Sequence, residues 1–568
     1  MKIVIIILFM LSICNDILKA QTTVGGTISS NTTWSVSGNP YTVNSTIIIP
    51  NGITLTIKPG VILKFENNVG VDVYGTLNAE GKADSLIIFT SAQFIPSNGH
   101  WRSIYFSPTS STYDFVNGIG NIIKYSIVEY GGGNFVSVGD YDHVISIENA
   151  SPFISNSIFR KNQGLIAVDN IPQNTYITNN KFFDNIISND TWDLIYSSDA
   201  ENDTLFFKCN LIYNHYSGNN LCNFFGNEYI SNNLFIGNEV SGFEFFFVNK
   251  NVTFEKNQVI DNINNMPSGA IFSNMGKLRF NTVTRNKDLK HVIFNKDSNT
   301  VTNNNNLFNN SFNPFTSPNY TFYSPLVRQQ FNSPIINSLN NYWGTTVLSD
   351  IGNMVFDKSD DTTKCEVDYS PFLNTLDTTA PVSPVLDVIK TDLGGGNIQV
   401  TWSPNLESDI AGYKIYYGNP TGYSFSNFID VGFVNTYTLS GFNYTDTIAV
   451  TAYDNLADDS LDQCDCHESW FTYDDVYYLG ITESQSPVMN MKTYPNPFND
   501  FTRFVTEYEL KNAKLTITNN LGQNVKEVSN INGFGFEFDC SELSSGIYII
   551  NIIQSNQVIA IDKWMKLD

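Results

Sequence analysis

At 568 residues, with a formal net charge of -24 and only 15% charged residues, the chain is long enough for several domains. It is also too acidic to bind nucleic acid or an anionic membrane by neutralising phosphates, and acidic polysaccharides are disfavoured unless calcium bridges the like charges. The 14% aromatic content and the abundance of asparagine describe a β-rich chain rather than a disordered one. At the front, Lys2, the apolar run Ile3 to Ile13 and Ala20 before Gln21 read as a cleaved signal peptide over residues 1–20, because the apolar core is too short for a stable spanning helix. Cys14 follows bulky Ile13 where a lipobox needs a small residue, so a lipoprotein anchor is the weaker alternative. No later stretch is apolar enough to cross a membrane.

Residues 22–375 lack helical periodicity and carry short β-branched and aromatic runs separated by Asn, Gly and Ser. Examples are Thr54–Ile57, Val61–Phe65, Val71–Tyr74, Leu86–Thr90 and His100–Phe106, with Pro59-Gly60 and Gly75 as turns. A small unit then repeats: a polar residue, two or more mostly apolar ones, and another polar residue five positions on. It starts at Ser157, Asn180, Asn210, Asn233, Asn257, Asn281 and Asn305, giving steps of 23, 30, 23, 24, 24 and 24 residues. A step of that size suits one coil of three short strands and three turns. Asparagine suits the turn because it tolerates the left-handed conformation, and stacked amides can hydrogen-bond from coil to coil. The long step implies a loop bulging between Asn180 and Asn210, and Asn340-Asn341-Tyr342-Trp343-Gly344 looks like the end of the stack. This stretch resembles the right-handed parallel β-helix repeat proteins of pectate-lyase-like architecture. A β-propeller, with its longer repeat, is the structural rival. The expected class is all-β throughout.

Thr378 to Pro384 has linker chemistry, placed at residues 376–384. Beyond it come the alternating runs Asn397–Trp402, Gly412–Gly418, Thr436–Gly441 and Thr447–Asp454. Trp402 followed by Tyr413-Lys414-Ile415-Tyr416-Tyr417 and Ala449-Val450-Thr451-Ala452-Tyr453-Asp454 resembles a fibronectin type III domain over residues 385–486. That resemblance implies a spacer or a loop-presenting module with Trp402 in its core. The loop from Asn455 to Trp470 departs from the family. Its Asp458, Asp459, Asp462 and Asp465 suit calcium by oxygen chemistry, against a solvated acidic loop as the plainer reading. Cys464-Asp465-Cys466-His467 lacks a second ligand pair at zinc spacing, so a disulfide is preferred there. Cys209 with Cys222 is either a local bridge or two buried thiols. No cofactor is expected apart from that calcium ion.

The tail carries Tyr494-Pro495-Asn496-Pro497-Phe498, the strand Leu515–Thr518, the turn Asn520 to Val525, Ser545-Gly546-Ile547-Tyr548 and a closing Lys563-Trp564-Met565-Lys566. In that order these pieces resemble the type A C-terminal sorting domain of the type IX secretion system of Bacteroidetes, over residues 489–568. The resemblance implies export through the outer membrane, with Tyr494, Pro495, Asn496 and Pro497 opening the recognised unit and Gly546, Tyr548 and Lys563 marking its later strands. The expected partners are that machinery and an extracellular glycan or surface partner. No nucleic acid partner and no transmembrane segment of the mature chain are expected, and the protein is read as a monomer.

Lyases and hydrolases that share the β-helix need a base beside positive charge or calcium, or two carboxylates at controlled separation. Groups of the right chemistry are Asp184, Asp193, Asp199, Glu201, Asp203, Arg160, Lys161, His143 and His215. Nothing in the pattern brings them together. His215 stands where other repeats carry Asn, Trp101 reads as packing, and Asp193 to Asp203 fall in the bulging loop, where a binding site could also lie. The expected function is a non-catalytic adhesin or a glycan- or partner-binding scaffold. The alternative is a secreted polysaccharide lyase or glycoside hydrolase working on the outer face.

Overall fold

The computed structural model describes residues 22–133, 143–187, 193–198, 203–314, 318–323, 335–418, 424–457, 463, 466–473, 491–494, 501–519, 524–541, 543–544, 546–554 and 557–566. The signal peptide expected at 1–20 lies outside them, as do Asp199, Glu201, Asp458, Asp459, Asp462, Cys464, Asp465, Pro495, Asn496 and Pro497. Two compact units are formed, residues 1–475 and 476–568.

The first unit is a parallel β-helix with an antiparallel sandwich docked on it. Each coil contributes one strand to each of three faces. The first face is a 13-stranded sheet running from Thr32–Trp34 to Glu366–Asp368. The second and third faces belong to a 23-stranded sheet. They are joined at the start by the long strand Tyr41–Ile49, which pairs with both Ile62–Phe65 and Val71–Val73. Alternation decides what goes inside. In Leu205–Lys208 the side chains of Leu205 and Phe207 are buried while Phe206 and Lys208 face outward. Inward rows such as Phe159, Phe182, Ile212, Phe235, Val259, Val283 and Leu307 lie in parallel register and make a dry core. Trp101 is part of that packing, stacked 4.4 Å from Phe65 with its indole N–H donated to the Glu129 carbonyl.

The repeat asparagines form two buried ladders flanking the second face. In one, the backbone N–H of Asn180, Asn210, Asn233, Asn257 and Asn281 donates to the side-chain oxygen one coil on, at 2.9 to 3.0 Å, and the row ends at Asn305 and Asn341. The other runs through Asn162, Asn185, His215, Asn238, Asn262, Asn286 and Asn310. A parallel stack leaves these corner amides without strand partners, and the ladder satisfies them. The expected left-handed backbone falls one residue earlier, on residues as varied as Asn179, Cys209, Asn232, Lys256 and Phe280. The ladder positions therefore need asparagine for its hydrogen bonds rather than for its φ. His215 fits in by presenting Nδ1 to the Asn185 N–H at 3.1 Å, and burial pushes its pKa down to about 3, so the ring stays neutral.

The sandwich has sheets of three strands (Leu386–Gly394, Asn397–Ser403, Thr436–Ser440) and four (Asn427–Gly432, Ile410–Tyr417, Ile448–Asp454, Thr472–Tyr473). Trp402 sits in its core against Tyr413. The segment read as a linker carries bonds to the coils. Within 376–384, Asp377 N–H donates to Asn306 Oδ1 at 2.7 Å and Thr282 Oγ1 donates to the Pro381 carbonyl at 2.6 Å. The four-stranded sheet then covers the second face, where Tyr416, Phe425, Trp470 and Phe471 pack on Leu211, Leu234, Ile236 and Ile260. Gln258 bridges to the Trp470 N–H and the Glu468 carbonyl. Apolar outward residues on the second face are what make docking favourable, because each side chain taken from water contributes about 1.5–3 kcal/mol.

The second unit is a five-stranded antiparallel sheet, Met491–Tyr494, Phe501–Asn519, Asn524–Asp539, Gly546–Gln554 and Gln557–Lys566. Its core includes Phe504, Leu515, Ile517, Phe538, Tyr548, Ile550 and Trp564. Gly546 opens one strand opposite Lys566, Lys563 pairs with Ile549, and Tyr548 donates its hydroxyl to the Ser544 carbonyl at 2.6 Å.

Candidate functional site: an aromatic cleft on the first face

Four outward rings stand in register on the first face: Phe153, Tyr176, Phe206 and Tyr229. Tyr176 and Phe206 stack at 4.8 Å and 11°, which is the strand spacing itself. The Lys208 ammonium lies 4.7 Å from the Phe206 ring centre and 4.6 Å from that of Tyr229. At the N-terminal end of this ridge a turn, closed by an Asp114–Ile119 bridge, brings in Tyr113 and Phe115. Phe115 lies across the ridge, 4.7 Å from Tyr176 and at 69° to it, and remains 49% exposed. Tyr176 and Phe206 cover each other's faces, whereas Phe115 offers a ring that is half open to solvent.

Beside these rings lies an open cleft of about 500 Å³, lined by Thr112, Tyr113, Asp114, Phe115, Gln173, Asn174, Tyr176 and Asp203. Gln173 is oriented by donating to the Tyr113 carbonyl at 2.8 Å, and Asn174 Oδ1 accepts the Thr204 N–H at 2.9 Å. Asp114 is held ionised, its pKa lowered first by the Asn117 side chain and then by the N–H groups of Asn117 and Val116. Burial, then the charge of Glu80, raises the Tyr113 phenol. The Asp203 carboxylate has no hydrogen-bond partner among the described residues. The cleft therefore presents an aromatic wall with amide and carboxylate groups along its side, within the size range of a small-ligand site.

The other residues singled out in the sequence do not join it. Arg160 is paired with Glu129 at 2.7 Å, and Lys161 lies 5.9 Å over the Tyr130 ring. Asp193 sits fully buried at a corner of the third face, two coils from Glu244, with Asn220 at the equivalent position on the coil between them. Desolvation, then the charge of Glu244, pushes Asp193 up to about 7, while burial raises Glu244 against the pull of Lys296. Asn223 donates to Asp193 Oδ2, and His143 Nε2 meets the Asp193 carbonyl at 2.7 Å, its ring kept neutral by burial with a pKa of about 4. Of the two readings of Cys209 and Cys222, a bridge or two thiols, the structure has no bridge between them. Cys222 points into the helix core, while Cys209 occupies a corner turn after its strand. Cys466 instead accepts a hydrogen bond from Asn232 at 2.9 Å across the sandwich interface, and His467 pairs with Asp454 at 2.8 Å. Among the described residues no group of three or more His, Cys, Asp or Glu is placed to hold a metal ion.

Sequence reasoning found Asp203 but missed the rings around it. A signal was present: Phe153, Tyr176, Phe206 and Tyr229 each stand four residues before a ladder position, at Ser157, Asn180, Asn210 and Asn233.

Fold and tail together define an exported parallel β-helix protein. Residues 26–137 match a family model described as a pectate-lyase like beta helix domain, and residues 492–566 match the secretion system C-terminal sorting domain. The chain thus carries a type IX sorting tail and is exported by that route to the cell surface or the extracellular space. No helix among the described residues is long and apolar enough to cross a membrane. Among solved structures it is similar to the tailspike protein of E. coli bacteriophage HK620 in complex with pentasaccharide, at 11% identity and a TM-score of 0.28 over 76% of this chain and 86% of that one. A single-residue mutant of the same tailspike, also in complex with pentasaccharide, gives 12% and 0.27 over the same shares. A curated relative, Protein bark beetle of Drosophila melanogaster, is 41% identical over 64 residues, which is 11% of this chain and 2% of that protein's length.

Proposed function

We propose that the protein is a non-catalytic glycan-binding scaffold displayed or released outside the cell, with the first-face cleft as its sugar site. The observation that carries this reading is the pairing of the half-open Phe115 ring with Tyr113, Tyr176, Gln173, Asn174 and the Asp203 carboxylate, which has no hydrogen-bond partner among the described residues. A pyranose has an apolar face that packs on a ring and hydroxyls that suit amides and carboxylates. Asp114 and Asp203 set the preference towards neutral or amino sugars and against uronates. The docked sandwich is read as fibronectin type III-like, acting as a brace on the β-helix.

The test is an oligosaccharide array probed with the full exported chain and with Phe115→Ala and Asp203→Asn. Binding to neutral or amino-sugar oligomers, reduced at least about tenfold by Phe115→Ala, is expected. Glycan binding that survives both substitutions would remove the cleft from the account. The hydrolase alternative draws on one observation, the mutual influence of the Asp193 and Glu244 carboxylates, two coils apart. Against it stands the complete burial of Asp193, which leaves no oxygen to touch a substrate. Shortened oligosaccharides in the same incubation would favour that alternative.

A further inference from the structure

A second pocket, of about 240 Å³, opens between the last coils and the sandwich. Phe308 and Tyr342 form one corner, their rings 5.9 Å apart and at 63°, and Leu386 and Leu406 close the sandwich side. Ser383 and Asn405 supply polar atoms to its wall. Asn405 is fixed in orientation because its Nδ2 donates to Ser383 O at 2.7 Å and to Ser383 Oγ at 3.1 Å. Its Oδ1 is therefore turned the other way, and it is buried without a partner. Behind this wall Glu407 is 6% exposed. One of its oxygens accepts the Ser383 N–H at 2.7 Å, and the other, Oε2, is buried without a partner. Its charge is also felt at the Tyr342 phenol, after burial the main influence raising that group.

Both orphaned atoms are oxygens. The acid behind the wall is a carboxyl that burial raises, against the hydrogen bonds of Ser383 and Asn405, so a cation beside it would be favoured, and no Lys, Arg or His among the described residues lines the pocket. Buried acceptors left unpaired cost about 1–3 kcal/mol each, so a ligand made only of donors gains most. An ammonium group has three donors and no acceptor. It is also attracted to ring faces such as those at the Phe308–Tyr342 corner. Apart from Asn309 and Ser403, the remaining walls are largely hydrocarbon. We propose that this interdomain pocket binds a small primary ammonium ion carried on a hydrocarbon body. The site is separate from the sugar cleft and does not depend on the glycan reading.

The experiment measures binding of cyclohexylamine, cyclohexanol and cyclohexanecarboxylate to the full chain at neutral pH by ligand-observed NMR, with thermal shift as a second readout. Cyclohexylamine is expected to bind at millimolar concentration and to raise the melting temperature, cyclohexanol to bind at least about tenfold more weakly, and the carboxylate not to bind. Glu407→Gln and Asn405→Leu should each weaken the amine by about tenfold or more. Because those substitutions touch buried atoms, Leu406→Trp at the exposed rim serves as the blocking variant: it should abolish amine binding with the fold intact. Equal binding of amine and alcohol overturns the proposal. So does an absence of amine binding to the unsubstituted chain, or amine binding untouched by Leu406→Trp.

Discussion

The first and second faces of the β-helix are built by the same repeat, yet they meet opposite fates. Both put apolar side chains outward in register. On the second face the row Leu211, Leu234 and the row Ile236, Ile260 are sealed beneath Tyr416, Phe425, Trp470 and Phe471 of the sandwich. On the first face the row Phe153, Tyr176, Phe206 and Tyr229 is left open, braced by contacts between its rings, by Phe115 and Tyr113, by Lys208 and by the Tyr229 hydroxyl donated to Glu255. The contrast lies in residue type as well as in cover. Aliphatic outward rows make no favourable surface in water and require a partner, whereas stacked aromatics protect one another's faces and can carry a binding cleft at the ridge's end. An exposed apolar row marks a binding surface only when nothing in the same chain already occupies it.

Four measurements bear on that comparison. The largest effect is expected where both faces share a support. Asn257 is buried, donates from N–H and Nδ2 to Asn281, and accepts both the N–H and Nδ2 of Asn233. Asn257→Leu should lower stability by about 4 kcal/mol, because several buried groups lose partners at once, read as the shift in denaturant midpoint. Next, Trp470→Ala removes the largest ring of the covered face. A loss of about 3 kcal/mol is expected, with calorimetry resolving a separate sandwich transition; a single unshifted transition would show that the two parts are not coupled through this contact.

Asp193 lies on the third face and serves as the comparison's control. Its folded pKa of about 7 stands above the ordinary 3.8, so the protonated form belongs to the fold. Stability is full at low pH on this account and is lost as pH rises from about 4 through about 7. Asp193→Asn should flatten that dependence and add about 2 kcal/mol at pH 8.5, measured by chemical denaturation across pH. The smallest effect on stability is expected on the open face. Tyr176→Ala should cost about 1 kcal/mol, while glycan binding, read by titration, falls strongly. A stability loss as large as that of Trp470→Ala would mean that the ridge is structural rather than presented for binding.

Much of this was legible in the residues. The 23- and 24-residue steps and the recurrent Asn set out a stack of coils, since a short-period pattern with a corner amide has few ways to satisfy its backbone. The His215 position read as a turn substitute, and it is one. The aromatic ridge was equally periodic, four residues before each ladder position, but periodicity cannot say whether an outward ring will be covered. Asp203 was singled out without its neighbours Phe115 and Gln173, which come from other coils and are far from it along the chain.

By itself, the amino-acid sequence determined the β-helix repeat, the ladder positions and the sorting tail, because each depends on local patterns that recur or occur in fixed order. Only the tertiary structure decided which faces are open, that Asp377 and Pro381 are bonded to the coils, and that Asp193, Asp203 and Arg160 stand on three separate faces. Those outcomes depend on the register between coils and on which surface the sandwich buries. Both are set by contacts between residues tens to hundreds of positions apart, and no local pattern encodes them.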